Sequence, residues 1–177
     1  ADLNEKNEEP NVVENSGETY GERNVISGEE GYNMPISKAD QMKIIDEKAN
    51  VIRSSAIIST FSANLPLELV SESAREFMRY FKLNELSVTI NTRDDMVEII
   101  PDSDFLENMI YYYNENGELI LFESVSNTVG GSSRYYFNQN KSVEVVFDYD
   151  EDVENNEEYV FDVLVRGNKM YDMYLKR

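Results

Sequence analysis

Met109-Ile110-Tyr111-Tyr112-Tyr113 runs into Asn114-Glu115-Asn116-Gly117 and then into Glu118-Leu119-Ile120-Leu121-Phe122. The same order of parts returns as Arg134-Tyr135-Tyr136-Phe137, Asn138-Gln139-Asn140-Lys141 and Ser142-Val143-Glu144-Val145-Val146-Phe147. Each is an aromatic strand, a polar four-residue turn and an aliphatic strand. Aromatic and β-branched side chains suit a pleated, half-buried surface. Asn116-Gly117 supplies the positive φ that a tight hairpin needs, and Asn140 adopts it less readily. Two such hairpins predict an antiparallel meander, and two copies are too few for a solenoid.

Upstream the period is also two. Leu86, Val88 and Ile90 alternate with Ser87 and Thr89, Thr92 to Asp95 reads as a turn, and Met96 to Ile100 returns as a strand. Pro101 to Asp104 is another turn. Before these strands the period is helical. Met42, Ile45, Ala49, Ile52 and Ala56 recur in steps of three and four, which places a helix at 37–60. Ser37 and Asp40 open it as a capping box. Leu65-Pro66 breaks the pattern, and Pro66 suits the first turn of a second helix at 66–82. Ser71 and Ser73 weaken its propensity.

The last segment reads two ways. As a helix it is capped by Asn156, with acids Glu157 and Glu158 at its start and Lys176 and Arg177 at its end. Val160, Val163, Leu164, Met170 or Tyr171, and Tyr174 then line one face. As strands, Arg166 to Lys169 becomes a hairpin turn. The regular polar face of Glu158, Asp162, Lys169, Asp172 and Lys176 favours the helix, with Gly167-Asn168 as its weak point. The expected architecture is α+β: an antiparallel meander of four to six strands, with N-terminal helices and a C-terminal helix packed on one face. It occupies residues 37–177. Residues 1–36 are rich in Glu, Asn and Gly and too poor in aliphatics to offset their ordering entropy. They read as a disordered acidic linker, and Ser126 to Ser133 reads as a flexible loop.

The net charge is −19 over 177 residues. The excess is uneven: residues 37–100 carry ten acids and eight bases, whereas residues 101–177 carry sixteen and six. Nucleic acid is a poor partner, and none is expected, because phosphate neutralisation needs clustered Lys and Arg. Cationic partners, or solubility alone, fit better. The chain has no Cys and no His. A Ser-His-Asp or Cys-His site cannot be built from it, and the commonest general base and metal ligands are missing. No apolar run reaches the ~20 residues of a membrane helix. The chain begins with Ala, which we read as a processed form with a signal or anchor segment upstream.

Two groups of residues carry candidate chemistry. Asp148, Asp150, Glu151, Asp152 and Glu154 form an acidic run, but neither EF-hand frame through it places Gly at position 6 or Glu at position 12. We therefore expect a solvated acidic patch with no metal and no cofactor. Gly130 to Ser133 lacks the spacing and Lys of a phosphate loop. The aromatic strands are more distinctive. Alternation puts Tyr112 and Tyr136 on the face opposite Tyr111, Tyr113, Tyr135 and Phe137. One set joins the core; the other, Tyr112 and Tyr136, is the candidate for an exposed stripe facing a carbohydrate or protein ligand. The competing reading is cross-strand packing alone.

The helix containing Ile52-Arg53, then Tyr111 to Leu119, then Arg134-Tyr135-Tyr136-Phe137 with its polar turn, resembles a group of uncharacterised secreted bacterial lipoproteins with a YYxxNGxL and RYYFxxxKL signature. The resemblance covers about residues 44–150. The chain departs from it at Ser142-Val143, where Leu is usual, and the lipid-bearing Cys of that group would lie upstream of Ala1. The resemblance implies an extracytoplasmic location and a non-catalytic role, and it brings no active-site residues. Taken together, the expected function is a cell-surface or secreted binding module. The alternatives are an acidic inhibitor or immunity-type protein capping a basic partner, and a hydrolase working through carboxylates alone.

Overall fold

The computed structural model describes residues 35–126, 132–147 and 157–176. The proposed linker falls almost wholly outside them, as do most of the loop at 126–133 and the run from Asp148 to Glu154. Helix α1 spans Lys38–Arg53. Ser37 Oγ accepts from the Asp40 amide at 3.1 Å, satisfying one of the donors a helix start leaves unpaired. The helix stops short of residue 60 because the hydroxyls of Ser54 and Ser55 fold back onto the carbonyls of Asn50 and Ile52. Ala56 continued the period by coincidence.

Strand β1, Ser59–Pro66, then begins. It fills the stretch left unassigned between the two expected helices and overlaps their ends at 59–60 and 66, since only Phe61, Ala63 and Leu65 alternate and most of its other positions are polar. Pro66 closes it at the sheet edge, where a missing N–H costs no ladder bond. A single 3₁₀ turn, Leu67–Leu69, follows, and α2 covers Glu72–Tyr80. Ser71 is the N-cap of α2, accepting from the Ala74 amide at 3.3 Å; a residue counted against the helix starts it.

Strands β2 (Glu85–Arg93), β3 (Met96–Pro101), β4 (Asn108–Tyr113), β5 (Leu119–Val125), β6 (Ser132–Asn138) and β7 (Lys141–Phe147) complete a seven-stranded antiparallel sheet in sequential order, β1 to β7. The α+β meander is as expected, with more strands than the four to six anticipated. Both aromatic hairpins form. Gly117 has φ +80° at the β4–β5 turn, where Asn114 Oδ1 accepts from the amides of Asn116 and Glu118. The β6–β7 turn places both Gln139 (φ 53°) and Asn140 (φ 62°) in the left-handed region.

Helix α3 spans Glu157–Tyr174 and passes through Gly167-Asn168 without a break. Gly167 is there for closeness: a Cβ on it would stand 2.7 Å from a Leu119 methyl. Tyr113 OH also donates to the Gly167 carbonyl at 2.6 Å. The hairpin reading of this segment is thereby excluded.

The helices do not share one face. The 3₁₀ turn, α2 and α3 cover the face carrying Val88, Val97, Tyr111, Tyr113, Phe122 and Phe137. Helix α1 lies on the opposite face, where Ile45 and Ala49 pack on Met96, Tyr112, Leu121 and Tyr136. The alternation of two apolar sets along β4 demanded this. A strand whose every residue from Tyr111 to Tyr113 is fully buried must be covered on both sides.

Candidate functional site

Tyr112 and Tyr136 do share a face, opposite Tyr111, Tyr113 and Phe137. That face is covered, and both rings are buried, at 0 % and 1 % exposure. They form no exposed stripe; α1 sits where a ligand would have to lie. Their phenols anchor α1 instead. Tyr112 OH donates to Glu123 at 2.8 Å and accepts from both Nε and Nη2 of Arg53, at 3.1 and 2.9 Å. Tyr136 OH donates to Asp46 at 2.8 Å. Burial first, and the Asp46 carboxylate second, push the Tyr136 phenol up to about 12.

The other face repeats this chemistry one residue earlier. Arg166 on α3 donates through Nη1 to Tyr111 OH at 2.5 Å and through Nε to Asp162 at 3.0 Å. Asp162 is shared with Arg75 of α2, at 3.3 Å. Burial works to lower the Arg166 guanidinium, but Tyr111 and Asp162 override it and hold it above its ordinary value. Adjacent tyrosines on one strand thus tie down two helices on opposite faces, each through an Arg and a carboxylate.

Arg166 also forms part of the floor of a cleft of about 320 Å³ between the starts of α2 and α3 and the β5–β7 end of the sheet. Its walls are the rings of Phe122, Tyr135, Phe147 and Tyr159. Around them stand four carboxylates: Glu72, Glu76, Glu107 and Asp162. Glu72 is held by Arg75 and Arg79, and Asp162 by Arg75 and Arg166. Glu107 accepts from Ser124 Oγ at 2.9 Å. Glu76 is exposed at the rim. Arg166 is the sole base among the lining residues. It lies over the Phe122 ring at 5.4 Å and, with Arg75 and Arg79, pairs Glu72 and Asp162. The negative charge left over is that of Glu76 and Glu107, beside the rings of Tyr135, Phe147 and Tyr159. That combination suits an organic cation, which gains from carboxylates and from the negative face of aromatic rings together.

The sequence marks none of these lining residues as a candidate site, although Tyr135 stands among its distinctive aromatics and Asp162 on the polar face of the last helix. The usable signal was the Asp162 and Arg166 spacing of four, which on a helix makes an ion pair. The favoured helix reading puts Asp162 on the polar face and leaves Arg166 out of both faces. Among the described residues, no group of three or more Asp, Glu, His and Cys side chains converges as a metal site, and no helix is long and apolar enough to cross a membrane. Comparison with family models, with curated proteins and with solved structures gives no match.

Proposed function

We propose that the chain is a non-catalytic binding module, displayed outside the cytoplasm, whose cleft receives a cationic group from a protein partner. The carrying observation is the cleft itself. Four aromatic rings and four carboxylates line it. Arg75, Arg79 and Arg166 pair two of the carboxylates, and Glu76 and Glu107 are left to meet a cation. The whole chain's net charge of −19 adds a long-range field that speeds the encounter with a basic partner. The non-catalytic reading draws on the absence of His and Cys from the sequence. It also draws on the engagement of Glu72 and Asp162 in ion pairs, which leaves them structural work. The extracytoplasmic setting, with a lipid anchor ahead of Ala1, rests on the lipoprotein-like signature of the two hairpins. An inhibitor or immunity-type protein capping a basic surface would use the same charge. A cleft of this size takes one side chain rather than a surface, which favours the receptor reading.

The test is a titration of the isotope-labelled chain with acetyl-lysine amide and, in parallel, acetyl-norleucine amide. We expect amide shifts confined to residues such as Ser124, Ser133 and Tyr159 with the lysine derivative and none with norleucine. Shifts scattered over the surface, or equal responses to the two, would refute the reading.

A further inference from the structure

We propose that the groove between the outer edge of β7 and the first half of α3 binds an extended peptide as an eighth strand. A basic side chain enters the acidic, aromatic cleft, and an apolar side chain four residues away enters a second cavity. This rests on the reading of the cleft as a cation receptor, and adds the mode of binding and the class of partner.

Three observations converge on the groove. The first is the edge. β7 ends the sheet, with β6 as its one strand neighbour among the described residues, so alternate residues turn backbone N–H and C=O groups away from β6. The Val145 amide donates to Glu144 Oε1 at 3.2 Å, a local bond that an added strand replaces. The opposite edge, β1, carries Pro66 among hydroxyl and amide side chains, whereas β7 has no proline. The second observation is a cavity of about 440 Å³ at the other end of β7. Phe137, Val160, Phe161 and Leu164 give it apolar walls. Phe161 is 66 % exposed there, unusual for so large an apolar side chain.

The third is registration. Ser142 lines the apolar cavity and Phe147 lines the acidic cleft. Their β6 partners, Phe137 and Ser133, belong to those same two cavities, so both lie on the side of the sheet that α3 covers. The five steps between them include the irregularity opposite Tyr136 and Phe137, so the span matches about four residues of a regular added strand, roughly 14 Å. An added strand turns alternate side chains toward α3, and positions i and i+4 reach the two cavities together. Main-chain bonds to an edge, with pockets for alternate side chains, are the components of recognition by strand addition. The cleft's carboxylates make the partner's pocket residue Lys or Arg.

The probe is a capped, fluorescein-labelled nine-residue threonine peptide with leucine and lysine four positions apart. It is made in both orders, because parallel and antiparallel addition seat them oppositely, and titrated against the full chain by fluorescence polarisation. Two further versions of the better binder carry backbone N-methyl groups on alternate residues, in one phase or the other. We expect one phase to weaken binding by about tenfold or more, the scale of lost edge hydrogen bonds, and the other to leave it within about twofold. Replacing lysine by norleucine also weakens binding. Equal responses to the two methylation phases overturn strand addition, while the lysine dependence still reports on the cleft. Loss of phase-specific binding together with lysine dependence, or no binding by either order, overturns both.

Discussion

Tyr111, Tyr112 and Tyr113 each hold a different partner. Tyr111 accepts from Arg166, Tyr112 bridges Arg53 and Glu123, and Tyr113 donates to the Gly167 carbonyl. The first two differ in how dry their partner is: the Arg166 side chain is 4 % exposed and that of Arg53 is 43 % exposed. A buried donor left without an acceptor costs about 1–3 kcal/mol, whereas one that water can reach costs much less. Tyr111→Phe should therefore destabilise the chain by about 1–3 kcal/mol and Tyr112→Phe by about 0.5–1 kcal/mol. Urea denaturation of the two variants measures the difference, and an equal or reversed order would contradict it. The close approach of α3 to Leu119 explains Gly167, whose carbonyl is the Tyr113 acceptor. Gly167→Ala gains about 1 kcal/mol of helix propensity but drives a methyl into Leu119, a residue with no exposure. Overpacking of this kind costs about 1–3 kcal/mol, so the variant should unfold at lower urea than the parent despite its better propensity.

At the scale of elements, the hairpins are what the sequence declares most openly, because their turn residues and their period agree. The β6–β7 turn is nevertheless the weaker of the two, with Gln139 and Asn140 both held at positive φ. Asn140→Gly removes that strain and should stabilise by up to about 1 kcal/mol, read as a higher denaturation midpoint. An unchanged or lower midpoint would mean the turn carries no such strain. Elements with weaker local signals were hidden by their neighbours. β1 has a polar edge face and follows a helix whose period runs on by chance to Ala56. Ser71 lowers helix propensity in the interior but caps α2. The two-sided covering of the sheet was latent in the continuous burial of Tyr111 to Tyr113, which resembles aromatic alternation until both faces are counted. The cleft was legible least of all. Its residues come from α2, α3, the approach to β4, and β5, β6 and β7, and no local pattern joins them. Only the Asp162 and Arg166 spacing hinted at it.

At the scale of the molecule, the buried phenols set a limit at high pH. Burial raises Tyr111, Tyr112, Tyr113 and Tyr136 above the ordinary 10.0, Tyr136 to about 12. A phenol raised in the folded state binds its proton more tightly there than in the unfolded chain. The stability it contributes is whole below pH 10 and is lost as pH rises through the folded value. Absorbance near 295 nm should therefore show Tyr111, Tyr112, Tyr113 and Tyr136 ionising only above pH 10, in one step with loss of the circular dichroism signal. Smooth ionisation of all 12 tyrosines with the fold intact would contradict the burial described.

Charge also governs whether the cleft between α2, α3 and the sheet receives a cation. Glu76 stands at its rim and Glu107 beside Ser124, and neither pairs with a base among the described residues. Calorimetric titration of the lysine peptide into the parent chain and into a Glu76→Gln, Glu107→Gln variant at low salt measures what these carboxylates contribute. Two partly exposed charges together supply about 1–2 kcal/mol. The expected loss of affinity in the variant is about fivefold to thirtyfold, with a smaller gap at high salt. Equal affinity of the two proteins at low salt would contradict it.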